Sequence, residues 1–235
     1  MLQGISFVIP AYNEALNLPA IEKSVREIAD GITEKYELVV VDDGSSDDTG
    51  EVVRRLSESN PNVVLVTHET NLGFGKTVRD GFDAARYDYI FYTDGDCQFD
   101  IADIGTLLPY AQEYDFVIGY RVHRADPFRR RFTAWVYNQM LRFMLGIRIR
   151  DVDCAFKLMK TSIIRSTNLT AETGFYFGEL LQKALKAGAK IKEVPVNHYP
   201  RRFGKQTGGD VMNILHVMRD MAKYMFLPQR WKVQE

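Results

Sequence analysis

Tyr89-Ile90-Phe91-Tyr92-Thr93-Asp94-Gly95-Asp96-Cys97-Gln98 decides how the rest of this chain is read. Four β-favouring residues, Tyr89 to Tyr92, run into two carboxylates one residue apart. A strand that ends this way projects Asp94 and Asp96 from its carboxyl end into a cleft. Hard oxygen ligands on one side of a tight turn suit Mg²⁺ or Mn²⁺, ions that commonly share their coordination shell with substrate phosphates. Gly95 lets the backbone come close to a ligand. A lone Asp-x-Asp is more often a polar strand-to-loop junction, since Asp is common in loops. Other motifs in the chain tip the balance toward a site.

Outward from this stretch, short apolar strands alternate with helical spacing. Residues 5–9 read as a buried strand. Residues 15–30 read as a helix (Leu16, Leu18, Ile21, Val25, Ile28) stopped by Gly31. Further strands are expected at 37–41, 63–66, 88–92 and 116–119. Further helices are expected at 47–57, opened by Ser and Asp residues able to cap it, at 75–86 and at 101–114. This alternation predicts an α/β fold, a mostly parallel central sheet with helices on both faces. Ligands of such sheets bind beyond the carboxyl ends of the strands. Residues 10–14, 42–46 and 94–98 each follow a strand, so they should converge on one cleft.

The near-neutral formal charge of −1 hides an asymmetry. Residues 1–118 carry 8 Lys and Arg against 22 Asp and Glu; residues 119–235 carry 22 against 9. The acidic half holds the carboxylate motifs, and the basic half should meet phosphates, lipid headgroups or nucleic acid. Residues 120–150 hold eight arginines and one acid, Asp126. Interleaved with them are Phe128, Phe132, Trp135, Tyr137, Met140, Leu141, Phe143, Met144 and Leu145. Residues 127–145 therefore read as one or two amphipathic helices. Either they pack on the core with an Arg-rich outer face, or they lie in a membrane interface with arginines on headgroups. A helix at 175–187, a strand at 191–196 and a methionine-rich amphipathic helix at 211–226 follow. The aromatics of the basic half recur at helical spacing, which favours core or membrane contact over nucleic acid.

At 235 residues and 46% hydrophobic, the chain fits one large domain, or one domain with an appendage, and can build a full core. No apolar run approaches the ~18–20 residues of a membrane span, and no signal segment opens the chain. Cys97 and Cys154 lack metal spacing, as do the four histidines. A cytoplasmic chain with free thiols is the simplest expectation. Gly75-Lys76-Thr77 imitates the end of a phosphate-binding P-loop, but Thr70 stands where that loop needs glycine. Asn71-x-Gly73-x-Gly75 is better read as a turn entering a helix. Pro10-Ala11-Tyr12-Asn13-Glu14 after the first strand lacks the glycines of a dinucleotide site.

Taken in order, the motifs resemble family 2 glycosyltransferases of the GT-A fold. The stretches that carry the resemblance are Phe7 to Glu14, Val39 to Thr49, Asn71-x-Gly73-x-Gly75-Lys76, Asp94-Gly95-Asp96-x-Gln98, Gly119-x-Arg121, Asp151 to Lys157, Glu193-Val194-Pro195 and Arg201-x-x-Gly204-Lys205. The likeness is strongest to the branch that glycosylates polyprenyl phosphates, such as dolichyl-phosphate mannose synthase. It implies that residues 1–119 bind a nucleotide-sugar, that 120–207 bind the acceptor, and that 208–235 form a C-terminal amphipathic helix. Pro10, Tyr12, Glu14, Val41 and Asp43, with Gly95, would hold the donor. Asp94, Asp96 and Gln98 would hold Mg²⁺ or Mn²⁺ and, through it, the diphosphate. Arg121 would lie near the phosphates. Arg201 and Lys205 would close over the donor. Arg130 would bind the acceptor phosphate, with Arg131 and Asp151 beside it.

The implied activity is inverting transfer of a sugar from a UDP- or GDP-linked donor to a polyprenyl phosphate. It would run at the cytoplasmic membrane face, with the chain bound peripherally. A homo-oligomer or a membrane-protein partner is left open. An anionic lipid phosphate needs no general base, whereas a hydroxyl acceptor would need Asp151, Asp153 or Glu179 to take its proton. A non-catalytic nucleotide-sugar-binding subunit is the third alternative.

Overall fold

The computed structural model describes residues 1–123, 127–204 and 211–226. Strands β1 (Ile5–Ala11), β2 (Tyr36–Asp42), β3 (Val63–Thr67), β4 (Tyr89–Thr93), β5 (Phe116–His123), β6 (Phe156–Lys160) and β7 (Ile191–Asn197) form one seven-stranded sheet in the order β3-β2-β1-β4-β6-β5-β7. The helices are α1 (Leu18–Ile32), α2 (Thr49–Ser59), α3 (Phe74–Ala84), α4 (Phe128–Leu145), α5 (Thr161–Ser166), α6 (Tyr176–Lys186) and α7 (Val211–Phe226). The first four strands pair in parallel. Steps from β1 to β2 to β3 move in one direction, so right-handed crossovers put α1 and α2 on one face, where they pack together. The return from β3 to β4 reverses direction and puts α3 on the other face, against β1 and β2. The mostly parallel α/β sheet expected from the alternation is therefore present.

β6 and α5 escaped the sequence reading. Phe156-Lys157-Leu158-Met159-Lys160 carries two charges, yet Lys157 is fully buried. Its ammonium donates to the carbonyls of Val152, at 3.0 Å, and Cys154, and lies 4.3 Å from the centre of the Phe177 ring. β6 runs antiparallel between β4 and β5, with Phe156 opposite Thr93. That reversal delivers residues 151–155 to the carboxyl end of β4, beside Asp94.

Other expectations are corrected. Residues 101–114 form two short 3₁₀ turns, Ile101–Thr106 and Leu108–Tyr110, rather than an α-helix. Pro109 has no N–H to continue a helix and its ring blocks the preceding turn. α1 runs through Gly31 and stops at Thr33, whose hydroxyl donates to the carbonyls of Leu2 and Lys35. α4 is one helix, but it does not divide into an apolar and a charged face. It buries Ala134, Leu141 and Leu145, while Phe128, Phe132, Trp135 and Phe143 lie exposed among its arginines. α7 docks through Met221 and Tyr224, whose hydroxyl donates to Gln182. Lys205 lies outside the described residues. Among those described, no helix is long and apolar enough to cross a membrane.

Candidate active site

Parallel pairing brings the carboxyl ends of β2, β1 and β4 out side by side, and short polar bonds knit the following loops together. The Asn13 side-chain oxygen accepts from the N–H of Ser46 at 2.8 Å and of Asp47 at 3.2 Å. The N–H of Asn13 donates to Ser45 Oγ, and that of Glu14 to Thr49 Oγ1, both at 2.9 Å. Asn13 sits at φ +59, a left-handed conformation that Asn tolerates. A Cβ on Gly95 would stand 3.1 Å from the Pro10 carbonyl oxygen and 3.3 Å from Ile9 Cγ2. The close approach expected of a ligand at Gly95 is thus made by β1. Small size here lets the Asp94–Asp96 turn lie against the end of that strand.

Asp94 and Asp96 are held in an uncomfortable electrostatic state. Burial raises the Asp94 pKa; the Tyr92 hydroxyl, donating to Oδ1 at 2.7 Å, and the charges of Lys157, Arg121 and Arg130 oppose the rise. Burial, and then the charge of Asp94, push Asp96 up to about 7. The Gln98 N–H, 3.1 Å from Asp96 Oδ1, and Arg201 offset this only in part. Two close carboxylates that are short of positive charge are a donor set for a divalent cation. Among the described residues no group of three or more His, Cys, Asp or Glu side chains forms a self-sufficient metal site. An ion at Asp94 and Asp96 would draw its remaining ligands from phosphate or water.

Arg201 closes this corner. Its guanidinium bonds the Glu14 carboxylate and lies 3.8 Å from Asp96 Oδ2. Glu14 is itself raised by burial, against its hydrogen bond from Asn17 and the nearby Arg201 charge. Gln98 fastens the Arg201 segment in place. Its amide nitrogen donates to the Tyr199 carbonyl at 3.0 Å, and the Tyr199 N–H returns a bond to the Gln98 carbonyl at 2.8 Å. The side chain read as a metal ligand therefore also braces the arginine.

On the β2 side, Val41 is fully buried with its Cγ2 turned toward Gly81 of α3, and Tyr12 is exposed. The Asp43 carboxylate accepts from the N–H groups of Leu72 at 2.8 Å and Gly73 at 3.1 Å, and contacts His68 Nδ1 at 2.8 Å. His68 Nε2 in turn meets Asp80 at 3.0 Å. Asp43 thereby fixes the turn at Gly73, φ +88, that enters α3. Lys76 bonds Asp80 at 2.6 Å, an intrahelical partner in keeping with the rejected P-loop.

The basic half reaches the site from β5 and α4. Arg121 donates through Nε and Nη2 to both oxygens of Asp151, each at 2.7 Å. Burial opposes the Arg121 charge, but this forked bond more than offsets it and its pKa is raised. Arg121 and Arg130 both act on Asp94 electrostatically. Arg131 is exposed and lines a cavity together with Arg121, Asp151, Trp135 and Arg150, whereas Arg130 does not line it. Turning by one residue on a helix separates neighbours by about 100°, which splits the Arg130–Arg131 pair. Lys157, the Tyr92 hydroxyl and His68 are contributors that the sequence reading missed. A charge inside the apolar run 156–159 was the available signal for Lys157.

Comparison with known proteins accords with this geometry. The glycosyl transferase family 2 profile matches residues 6–167, and the chain belongs to that family. It is 29% identical over 94% of its length to an undecaprenyl-phosphate 4-deoxy-4-formamido-L-arabinose transferase of Shewanella sediminis, covering 66% of that protein. It is 27% identical over 98% of its length to a dodecaprenyl-phosphate galacturonate synthase of Rhizobium johnstonii, covering 68% of that protein. The chain thus spans about two thirds of these relatives. Both carry polyprenyl-phosphate activities in their names, as the likeness to that branch implied. Glucosyl-3-phosphoglycerate synthase of Mycobacterium tuberculosis, solved with Mn²⁺, UDP and glucosyl-3-phosphoglycerate, superposes with a TM-score of 0.74 at 18% identity, covering 96% of this chain and 81% of that one. That similarity establishes the GT-A fold.

Proposed function

We propose that this glycosyltransferase moves a sugar from a UDP- or GDP-linked donor to a polyprenyl phosphate, with inversion, at the cytoplasmic face of a membrane it binds peripherally. The observation that carries this reading is the placement of Arg121 and Arg130 within electrostatic reach of Asp94, at the end of β4. The activities of the two bacterial relatives support the acceptor class. Mn²⁺ and UDP in the mycobacterial enzyme support a metal-assisted nucleotide site.

Residues 1–119 serve the donor and residues 120–207 the acceptor. Pro10, Tyr12, Glu14, Val41 and Asp43 frame the nucleoside. Asp94 and Asp96, with Gln98, would hold Mg²⁺ or Mn²⁺, which supplies charge neutralisation to the leaving diphosphate. Arg201 exchanges Glu14 for a donor phosphate and, with Lys205, covers it. Arg130 orients the acceptor phosphate behind the anomeric carbon, and Arg121 adds positive potential. A bond forms from a phosphate oxygen to that carbon as the bond to the diphosphate breaks, so the configuration inverts. The acceptor is already anionic, and no proton has to be removed.

A hydroxyl acceptor would have to rely on Asp153, the exposed member of the three candidate bases. Both oxygens of Asp151 are engaged by Arg121. Glu179 is buried and bound to Thr170, Ala171 and Lys183. Thermal stabilisation by UDP and by GDP, with and without Mn²⁺, on wild type and Asp96→Ala, tests the donor site. A metal-dependent shift lost in the variant is expected. Transfer to undecaprenyl phosphate should then fall about a hundredfold in Arg130→Gln with nucleotide binding intact. No shift with either nucleotide would point to a non-catalytic subunit.

A further inference from the structure

His68 follows β3 and belongs to none of the stretches that carry the family resemblance. It is tied twice to the end of β2. Its backbone N–H donates to the Asp42 carbonyl at 2.9 Å, and its Nδ1 stands 2.8 Å from Asp43 Oδ1. Across the ring, Nε2 stands 3.0 Å from Asp80 Oδ2, in the middle of α3. The other Asp80 oxygen takes Lys76 Nζ at 2.6 Å. Only 6% of the His68 side chain and 6% of the Asp43 side chain are exposed.

A carboxylate this deeply buried depends on its hydrogen-bond donors. Asp43 has the N–H groups of Leu72 and Gly73, from the turn that enters α3, and the imidazole. The imidazole acts as a bridge: one nitrogen meets Asp43 and the other is anchored on α3. A carboxylate at each nitrogen offers an acceptor to whichever carries a proton, and to both when the ring is charged. Three such partners leave about one of the roughly four lone-pair sites of the Asp43 carboxylate open. Its aim is therefore fixed before a ligand arrives, and preorganisation of this kind lowers the cost of binding.

We infer that His68 is a positioning residue for the donor nucleotide. It touches no ligand itself; it sets nucleotide affinity through Asp43, with Asp80 as its anchor. The inference rests on the proposed place of Asp43 in the donor site.

The test is calorimetric titration of UDP and of GDP, each with Mn²⁺, into wild type, Asp43→Asn and three His68 variants. An Asn amide reaches the place of Nδ1 and a Gln amide the place of Nε2. His68→Asn thus keeps a donor for Asp43, His68→Gln keeps one for Asp80 only, and His68→Leu keeps neither. For the nucleotide that wild type binds, the Leu and Gln variants should lose about tenfold in affinity, the worth of one hydrogen bond to a charged group. The Asn variant should recover most of that loss. Added to Asp43→Asn, His68→Leu should cost nothing further, because additive losses are the mark of independent sites. Binding weakened by Asp43→Asn but kept in His68→Leu would overturn the inference and leave the donor site standing. Equal losses in the Asn and Gln variants, or additive losses with Asp43→Asn, would also overturn it, by making His68 a packing residue only. Failure of wild type to bind either nucleotide, or unchanged affinity in Asp43→Asn, would remove the donor-site reading of Asp43 and this inference with it. Thermal unfolding reports whether each variant folds. Should His68→Leu not fold, the comparison of the Asn and Gln variants decides.

Discussion

Asp96→Asn should make the metal-free protein more stable while destroying the proposed donor site. Asp96 is raised from 3.8 to about 7, through burial first and the Asp94 charge second. Below about pH 4 the carboxyl is protonated in both folded and unfolded chains and costs nothing. As pH rises toward about 7 the unfolded chain releases the proton while the folded chain keeps it, so stability falls and then levels off. At about 1.4 kcal/mol per pH step, the ceiling above pH 7 is about 4 kcal/mol. Water reaches the side chain, which is 13% exposed, and relaxes part of this. Asparagine also loses the attraction of Arg201. A gain of about 2 kcal/mol is therefore expected at pH 8, or ~4–8 °C in thermal midpoint for a chain of this size. Thermal unfolding in chelator at pH 5 and pH 8 measures it, and the gain should be smaller at pH 5. Adding Mn²⁺ and UDP should reverse the order, raising the wild type alone. A variant no more stable than wild type at pH 8 in chelator would refute the claim that the paired carboxylates are short of positive charge.

Asp151→Ala should cost about 3 kcal/mol in urea unfolding, because it leaves Arg121 without its forked partner in a site where both side chains are under a tenth exposed. A loss below about 1 kcal/mol would mean that water screens the pair. Gly95→Ala puts a methyl 3.1 Å from the Pro10 carbonyl, so the Asp turn must shift. Single-turnover transfer should fall several-fold, as expected for a displacement of a few tenths of an ångström, with the global fold retained by circular dichroism. Arg201→Gln should weaken nucleotide binding about tenfold by calorimetry, the worth of one charge-assisted hydrogen bond. Unchanged affinity would show that Arg201 serves only Glu14.

The sequence by itself determined the arrangement of the first half. Apolar strands of five to seven residues with helical spacing between them can bury both faces only as a parallel sheet, and the residues after each strand must then gather at one edge. Local pattern and global arrangement coincide there, so Pro10, Glu14, Asp43, Asp94 and Asp96 were legible as one cluster. The second half was different, because its arrangement depends on partners distant in sequence. β6 hides behind Lys157, a charge that becomes tolerable only when the carbonyls of Val152 and Cys154 and the Phe177 ring surround it. The antiparallel insertion of that strand brings Asp151 onto Arg121, a contact between residues 30 apart. Gln98 as a brace for Arg201, and Gly95 as a seat for Pro10, also follow from packing across the sheet edge. Composition revealed that the second half is rich in arginine. Only the helical turn of α4, anchored by Ala134, Leu141 and Leu145, decided that Arg130 acts on Asp94 while Arg131 lines a cavity with Arg121 and Asp151.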